Sequence, residues 1–309
     1  VDELISLKHV RIHTSIPKPR YSLQWGDLYL ARSIRYELQK NNLRCNISVG
    51  ESDERRFSSR EDLALNLRGI ENVKQKNKQS FFTWFISHPE SYDIAELVET
   101  DNIAISSKIF KKKIENLRSE FNSNRPLYIP QFSTIKSPEI FPEILCDFIF
   151  IGNTRNIYRE SVKYAIESGL DIKVIGSGWE KYISEKYILK NLVSNSELGS
   201  AYTLGRVVLC DHWDDMKRYG FVSNRIYDCL SINKPILTDY AKDIESDLTD
   251  HEKEYVFTYN SFEDFKVKSQ DALKFSNAIL DSSNTLDSEC AYKGLDMIAD
   301  HLNRILTSQ

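Results

Sequence analysis

The densest run of reactive side chains is Cys210-Asp211-His212-Trp213-Asp214-Asp215-Met216, followed by Gly220-Phe221-Val222-Ser223-Asn224-Arg225 and then Asp228. Ser223 is a helix-capping residue type, and the first N–H groups of a helix have no internal acceptor. With Arg225 beside them, those groups make an anion site of diphosphate size. Asp228 stands three residues beyond Arg225, on the same helix face. Its carboxylate can accept hydrogen bonds from ribose hydroxyls, or simply pair with the arginine. Asp211, His212, Asp214 and Asp215 are also metal-ligating types. Consecutive acids on a loop are ordinarily solvated, however, and no second cluster completes an octahedral set.

Three further sites carry chemistry. Phe150-Ile151-Gly152-Asn153-Thr154-Arg155, with Arg159 following, reads as a strand ending at a glycine and opening into a helix. That is a second anion site, or an ordinary glycine turn with an Asn cap. Val174-Ile175-Gly176-Ser177-Gly178-Trp179 is a glycine turn without the third glycine of a dinucleotide fingerprint. Trp179 either stacks on a base or sugar, or packs. Earlier in the chain, Gln24-Trp25-Gly26-Asp27 and Ser87-His88-Pro89 supply two general-base candidates, Asp27 and His88. The alternatives are a helix-start residue for Asp27 and a structural residue before proline for His88. Neither a nucleophile elbow nor a lysine-bearing phosphate loop is present, which removes the main support for hydrolase and P-loop readings.

The elements that must position these residues alternate between short apolar runs and amphipathic runs. Strands are predicted over 9–13, 44–49, 63–67, 81–86, 103–105 and 127–130, with helices over 27–40 and around 109–117. After a proline-bearing connection at 132–143, strands follow over 147–151, 172–175, 191–193, 206–210, 235–238 and 254–258. Helices are predicted over 155–168, 197–204 and 224–230, and in the tail from 262 onward. This is the pattern of two parallel-sheet halves, and in such folds ligands bind beyond the carboxyl ends of the strands. Gly26, Gly152, Gly176, Gly178 and Gly220 fall at such strand ends or before a helix start. They stand out because the chain has only 11 glycines in 309 residues.

Bulk composition narrows the class. With 28% charged and 41% apolar residues the chain is an ordinary globular one, and at about 150 residues per domain it holds two domains. No run approaches the ~18 apolar residues of a membrane span. The start, Val1-Asp2-Glu3-Leu4, has no signal-peptide pattern and no initiator Met, which suits a piece of a longer chain. Five scattered cysteines without ligand spacing point to a reducing cytosol rather than a zinc site. A net charge of −4 argues against general nucleic-acid binding, and Lys111-Lys112-Lys113 reads as a solvated helix face.

Residues 147–155, Gly176-Ser177-Gly178-Trp179, the segment 195–202 beginning at Asn195, and the block from Asp211 to Asp228 resemble the CgeB-like (spore-maturation type) glycosyltransferases. These are related to the GT-B group 1/4 transferases. In the first half the resemblance rests on Trp25-Gly26-Asp27, Asn66-Leu67-Arg68-Gly69 and Ser87-His88-Pro89. It implies an α/β GT-B fold of two Rossmann-like domains facing across a cleft. The expected acceptor domain is 1–135 and the nucleotide-sugar domain 136–285, with a terminal helix, 286–309, packing back on the first. The implied enzyme is a hexosyl- or deoxyhexosyltransferase using a nucleotide-diphosphate sugar as co-substrate, with no metal or other cofactor. Its acceptor would be a glycan or lipid-linked glycan in bacterial polysaccharide or O-antigen biosynthesis, in the cytoplasm or at the inner face of the membrane. The expected base is Asp27 or His88. The expected substrate contacts are Trp25, Gly26, Gly152, Asn153, Arg155, Gly176, Gly178, Trp179, Asn195, Asp211, His212, Phe221, Val222, Ser223, Asn224, Arg225 and Asp228. Asp228 matches the second acid of the Glu-x7-Glu pattern of the larger group, while Gly220 stands where that pattern has its first acid. The alternative is a non-catalytic GT-B module binding nucleotide or glycan beside other domains of a larger synthase.

Overall fold

The computed structural model describes residues 8–49, 62–70, 80–280 and 290–307. The chain start at Val1–Leu4 and the boundary expected at 285/286 lie outside these residues. The chain divides into two compact units. The first runs to Gln131 and adds Arg218–Phe221 and the chain from Lys293; the second comprises Phe132–Lys217 and Val222–Tyr292.

The first unit is built on six parallel strands, β1 (His9–Thr14), β2 (Arg44–Val49), β3 (Leu63–Arg68), β4 (Ser80–Phe85), β5 (Asn102–Ile105) and β6 (Leu127–Tyr128). They lie in the order β2-β1-β3-β4-β5-β6. β3 is buried along its whole length, as expected for a parallel strand covered on both faces. The helices are α1 (Gly26–Lys40), α2 (Ile94–Glu99) and α3 (Lys108–Glu120). α1 buries Leu28, Leu30, Ala31, Ile34 and Leu38 at helical spacing, and the chain leaves it through left-handed Asn42.

A buried arginine holds the end of α2 in place. Arg118 of α3 is 1% exposed and donates to four backbone carbonyls: Leu97 (2.5 Å), Thr100 (3.0 Å), Asp101 (3.2 Å) and Asn124 (2.5 Å). The last carbonyls of a helix have no internal donor, so one guanidinium fork replaces several waters there.

The second unit has strands β7 (Cys146–Ile151), β8 (Ile172–Ile175), β9 (Ile188–Lys190), β10 (Gly205–Cys210), β11 (Ile236–Asp239) and β12 (Val256–Tyr259). All are parallel, in the order β12-β11-β10-β7-β8-β9. Its helices are α4 (Glu160–Glu167), α5 (Leu198–Thr203), α6 (Asp214–Tyr219), α7 (Asn224–Ser231), α8 (Ile244–Asp247), α9 (Asp250–Lys253) and α10 (Phe262–Leu280). α6 ends within the first unit, and the last helix, α11 (Cys290–Thr307), belongs to that unit from Lys293. Two apolar clusters fill the faces of the second sheet, one around Ile149, Val208 and Tyr227 and the other around Phe148, Phe150 and Trp179. No described helix is long and apolar enough to cross a membrane.

The alternation read from sequence is therefore that of two parallel α/β sheets, with local differences: α2, α8 and α9 stand where no helix was expected, and three more follow. The helix expected over 155–168 starts at Glu160, because Arg155 and Asn156 both take left-handed backbone and form a turn instead. The strand expected over 191–193 is displaced to Ile188–Lys190, where Val174 and Ile175 of β8 supply its partners. Residues 214–219, read as loop, form α6, whose first turn carries Asp214 and Asp215, the charge a helix N-terminus favours.

Arg118→Met keeps the apolar stem but removes every donor. We expect a loss of at least about 2–3 kcal/mol in urea unfolding, because buried carbonyls are left unpaired. A change within about 0.5 kcal/mol would contradict this role.

Candidate functional site

In each sheet the strand order reverses at one place, between β1 and β3 in the first unit and between β7 and β10 in the second. The crevice beyond the carboxyl ends at such a switch point is where open α/β sheets take their ligands. In the second unit that position is framed by the turn after β7, the turn after β8, the segment after β10 and the start of α7.

The two glycine turns are locked together. Gly152 N–H donates to Ile175 O (2.8 Å) and Thr154 N–H to Ser177 O (3.2 Å). The Asn153 side-chain oxygen accepts from both the N–H and the hydroxyl of Ser177, at 2.9 Å each. Gly176 has φ 152°, and a Cβ there would lie 2.1 Å from Gly152 O; Gly178 has φ 82°. Glycine is required at 176 on both counts. Trp179 is fully buried, crosses Phe150 edge-on (centroids 5.4 Å apart) and donates its indole N–H to Gly152 O (2.8 Å). Of its two readings the structure gives packing, and the stacking contact is corrected.

Three arginines converge behind these turns. The guanidinium carbons of Arg159 and Arg225 lie 5.2 and 5.1 Å from the Phe150 ring centroid, and that of Arg155 lies 4.5 Å from the Trp213 ring centroid. Arg225 donates to Ile151 O (2.6 Å) and to Cys210 Sγ (3.4 Å), and its Nε is buried without a partner. Arg159 is buried in an ion pair with Asp211, which also accepts from Ser161 Oγ (3.0 Å). Among the described residues Asp211 is the sole carboxylate paired with any of the three. The field they create is visible in the titration of the groups themselves. Desolvation and the charge of Arg225 lower Arg155 to about 10; desolvation and the charges of Arg155 and Arg225 lower Arg159 to about 9. Burial works to raise the Cys210 thiol, yet Arg225 and His212 pull it below its ordinary value. Arg155 and Asn153 are exposed and Gly152 and Arg225 half-buried, so this positive centre is open to a solute.

α7 begins at this centre. Ser223 is its N-cap by position, but its hydroxyl makes no capping bond, a correction to the cap expected from sequence. Ile226 N–H donates to Ser223 O (3.0 Å), which leaves the N–H groups of Asn224 and Arg225 for an external acceptor.

Other expected contacts have structural roles. Asp211 is consumed by Arg159. His212, its side chain fully buried, is bound between Asp239 and the Ser223 N–H. Phe221 lies buried in the first unit against Phe110 (5.6 Å), and Val222 lies in the core of the second. The side chains of these four are buried and act as supports in this structure. Asp228 is 5% exposed; its Oδ1 accepts from Ser133 Oγ (2.9 Å) and Thr134 N (3.3 Å), and Oδ2 faces Asn224 Nδ2 at 3.5 Å. Burial, against those bonds, raises its pKa to about 6. Asn224 Oδ1 is buried and unpartnered. Asn195 is half-buried in a short 3-10 turn capped by Ser194 and Glu197, and no bond joins it to the arginine cluster. Sequence reading missed Asp239 as a site-building residue. Its signal was its place at the end of an apolar strand, Ile236-Leu237-Thr238-Asp239. Among the described residues no cluster of three or more His, Cys, Asp or Glu side chains could hold a metal ion.

In the first unit, Trp25 is the N-cap of α1, Gly26 its first residue and Asp27 its second. Gly26 has open space where a Cβ would stand, so nothing in this chain demands glycine there. At the switch point, Ser15 Oγ donates to Leu67 O and accepts from Gly69 N, both at 2.5 Å. Asp27 Oδ2 adjoins this knot, 3.1 Å from where a Gly69 Cβ would lie. Desolvation raises Asp27 to about 6. His88 takes left-handed backbone, φ 60°, and its Nδ1 lies 2.9 Å from Ser87 Oγ.

Residues 155–277 match a family model described as glycosyl transferase-like. A search of curated proteins by sequence finds no match. Among solved structures, the sucrose-phosphate synthase (tll1590) of Thermosynechococcus elongatus aligns with TM-score 0.61 at 7% identity, over 97% of this chain and 100% of that one. A T4 phage BGT mutant in complex with UDP-glucose gives 0.56 at 12%, over 96% and 99%. Anabaena Alr3699/HepE in complex with UDP and glucose gives 0.53 at 10%, over 98% and 100%. At these identities the likeness shows the fold, and the fold is the two-domain α/β fold of GT-B glycosyltransferases.

Gly176→Ala forces a Cβ onto Gly152 O. We expect it to cost at least about 2 kcal/mol in denaturant unfolding and to disorder the turns around Asn153. Wild-type stability in this variant would show that the two turns do not bear on one another as described.

Proposed function

We propose that this chain is a glycosyltransferase that takes its sugar from a nucleotide-diphosphate sugar and passes it to an acceptor hydroxyl. The observation that carries the reading is the surplus of positive charge at the second switch point: three guanidinium groups and one paired carboxylate, opening beside the uncapped start of α7. A diphosphate supplies the missing negative charge as a bound ligand, and more of it as a leaving group.

In the proposed reaction the acceptor oxygen bonds to the anomeric carbon while the carbon–oxygen bond to the diphosphate breaks. The bonding pair passes to the phosphate oxygen, where Arg225, Arg155 and the α7 N–H groups stabilise it without requiring a metal. In an inverting transfer the acceptor proton goes to Asp27, whose carboxyl, lifted to about 6 by burial, suits a base near neutral pH. In a retaining transfer His88 would orient the sugar. The donors bound in the T4 and Anabaena relatives make UDP-glucose the first to test. The sequence resemblance to CgeB-like transferases supports a hexose or deoxyhexose donor and a growing bacterial surface glycan, free or lipid-linked, as acceptor. Free thiols at Cys45, Cys146, Cys210 and Cys229 suit a cytoplasmic setting.

Thermal shifts with UDP, GDP, dTDP, CDP and ADP test the donor site. At a hundredfold excess over Kd, binding stabilises by about 2.7 kcal/mol. We expect one nucleotide to act. Arg225→Ala should remove most of its effect, and Arg155→Ala should weaken it. No shift with any nucleotide overturns the reading. Nucleotide binding without transfer to any acceptor would favour the non-catalytic module.

The base has its own test. With donor saturating, kcat should rise as pH passes upward through about 6, as Asp27 ionises. Asp27→Asn should lower kcat by about 10²–10⁴ and remove that limb. An unchanged profile would take Asp27 out of the reaction.

A further inference from the structure

The His212 side chain is fully buried, and both its ring nitrogens are engaged. Nδ1 lies 2.6 Å from Asp239 Oδ1, and Nε2 lies 2.9 Å from the backbone N of Ser223. Asp239 also accepts the His212 backbone N–H, at 3.1 and 3.2 Å to its two oxygens. Burial tends to raise the Asp239 carboxyl, but His212, Lys217 and that N–H hold it below its ordinary value. It is therefore a carboxylate, and a carboxylate only accepts. The proton between the two residues must sit on Nδ1. The Nε2 lone pair is then the acceptor for Ser223 N–H, and this pattern assigns the tautomer.

We propose that His212 is a positioning residue for the donor site: in the tautomer imposed by Asp239 it holds the Ser223 N–H and thereby fixes the anion-binding start of α7. The inference rests on the reading of that start as the diphosphate site. Ser223 lies immediately ahead of α7, and its backbone N–H is the group through which β11 reaches that helix. Arg225, two residues on, is fixed separately by Ile151 O and Cys210. The two anchors together set the direction of the first-turn N–H groups.

A pH dependence follows. The charged groups around the ring are Asp239, Arg225 and Cys210, with Lys217 3.8 Å from the far oxygen of Asp239. Burial and Arg225 oppose protonation; Asp239 and Cys210 favour it and prevail, so the ring's pKa lies above its ordinary value. A proton on Nε2 sets a donor against the Ser223 donor, and the clamp opens. Donor affinity should fall as pH drops through the ring's pKa and recover above it.

The test is Asp239→Asn, which keeps the side chain's shape but offers an amide in place of a carboxylate. The amide's NH2, turned to Nδ1, moves the ring proton to Nε2, and the variant's imidazole ¹⁵N shifts identify that state before its affinity is read. Binding of UDP-glucose, or of the glucose diphosphate ester of whichever nucleotide the thermal panel selects, is measured by calorimetry between about pH 6 and 8. Its esterified diphosphate keeps a constant charge over that range. We expect wild-type affinity to rise with pH. In Asp239→Asn we expect affinity about tenfold weaker at the upper end, with the pH slope gone and kcat at saturating donor changed less than KM. In the wild type, imidazole ¹⁵N shifts should report the Nδ1–H tautomer, which keeps the inference testable if the variant does not fold. An Nε2–H tautomer overturns the positioning role, as does a variant that binds with wild-type affinity and slope. A wild type that binds no donor overturns the diphosphate reading and the positioning role with it; a binding wild type and an indifferent variant overturn the positioning role alone.

Discussion

Like-charge repulsion among Arg155, Arg159 and Arg225 is the constraint around which the second unit is organised. Guanidinium groups do not gather at one place in a fold without compensation, and here Asp211 compensates one of them. The remaining charge pulls a buried thiol, Cys210, toward its thiolate, and it adds to the desolvation that lowers Arg155 and Arg159. The fold holds this arrangement through cheap local contacts. Phe150 presents its ring to two of the cations, Ile151 O and Asn153 O accept from them, and the left-handed turn at Arg155 and Asn156 brings the third alongside. What a folded protein tolerates as repulsion when empty, it can use as affinity when an anion arrives.

The glycine turns serve the same end. Gly152, Gly176 and Gly178 allow two strand ends to touch, and Asn153 and Trp179 fasten them from opposite sides. The backbone beside the cations is thereby presented bare and rigid, as close recognition of phosphate requires. On the other flank, α7 is secured at its N-cap by His212, at Arg225 by β7 and β10, and at Asp228 by Ser133 and Thr134. Residues that look like ligand contacts in the sequence thus form the frame that aims the residues which remain open.

This explains what could and could not be read from the sequence. Parallel strands buried on both faces are apolar runs, so β3, β7, β8 and β10 were legible from hydrophobicity to within a residue or two. The strand ends, and hence the position of Gly152, followed from the alternation, whereas the order of the strands did not. The start of α4 was not legible, because nothing in the types of Arg155 and Asn156 announces left-handed backbone. α6 was hidden by polar residues that look like loop and serve as an acidic first turn. At the site, Asp211, His212 and Trp179 were singled out by their unusual company, but residue type cannot distinguish a group that meets a ligand from one that braces its neighbour. Burial makes that distinction, and it is a property of the fold. Asp239 was missed for the converse reason: at the end of an apolar strand it looks ordinary until His212 is beside it.

The central claim is that the charge surplus exists to hold two phosphates, and an affinity ladder tests it most directly. Calorimetric titration with the nucleoside, its monophosphate and its diphosphate, for the base that binds best, separates phosphate recognition from base recognition. The account predicts that the second phosphate contributes at least about tenfold in affinity, and that added salt erodes this step more than it affects the nucleoside. Equal affinities for monophosphate and diphosphate would contradict it.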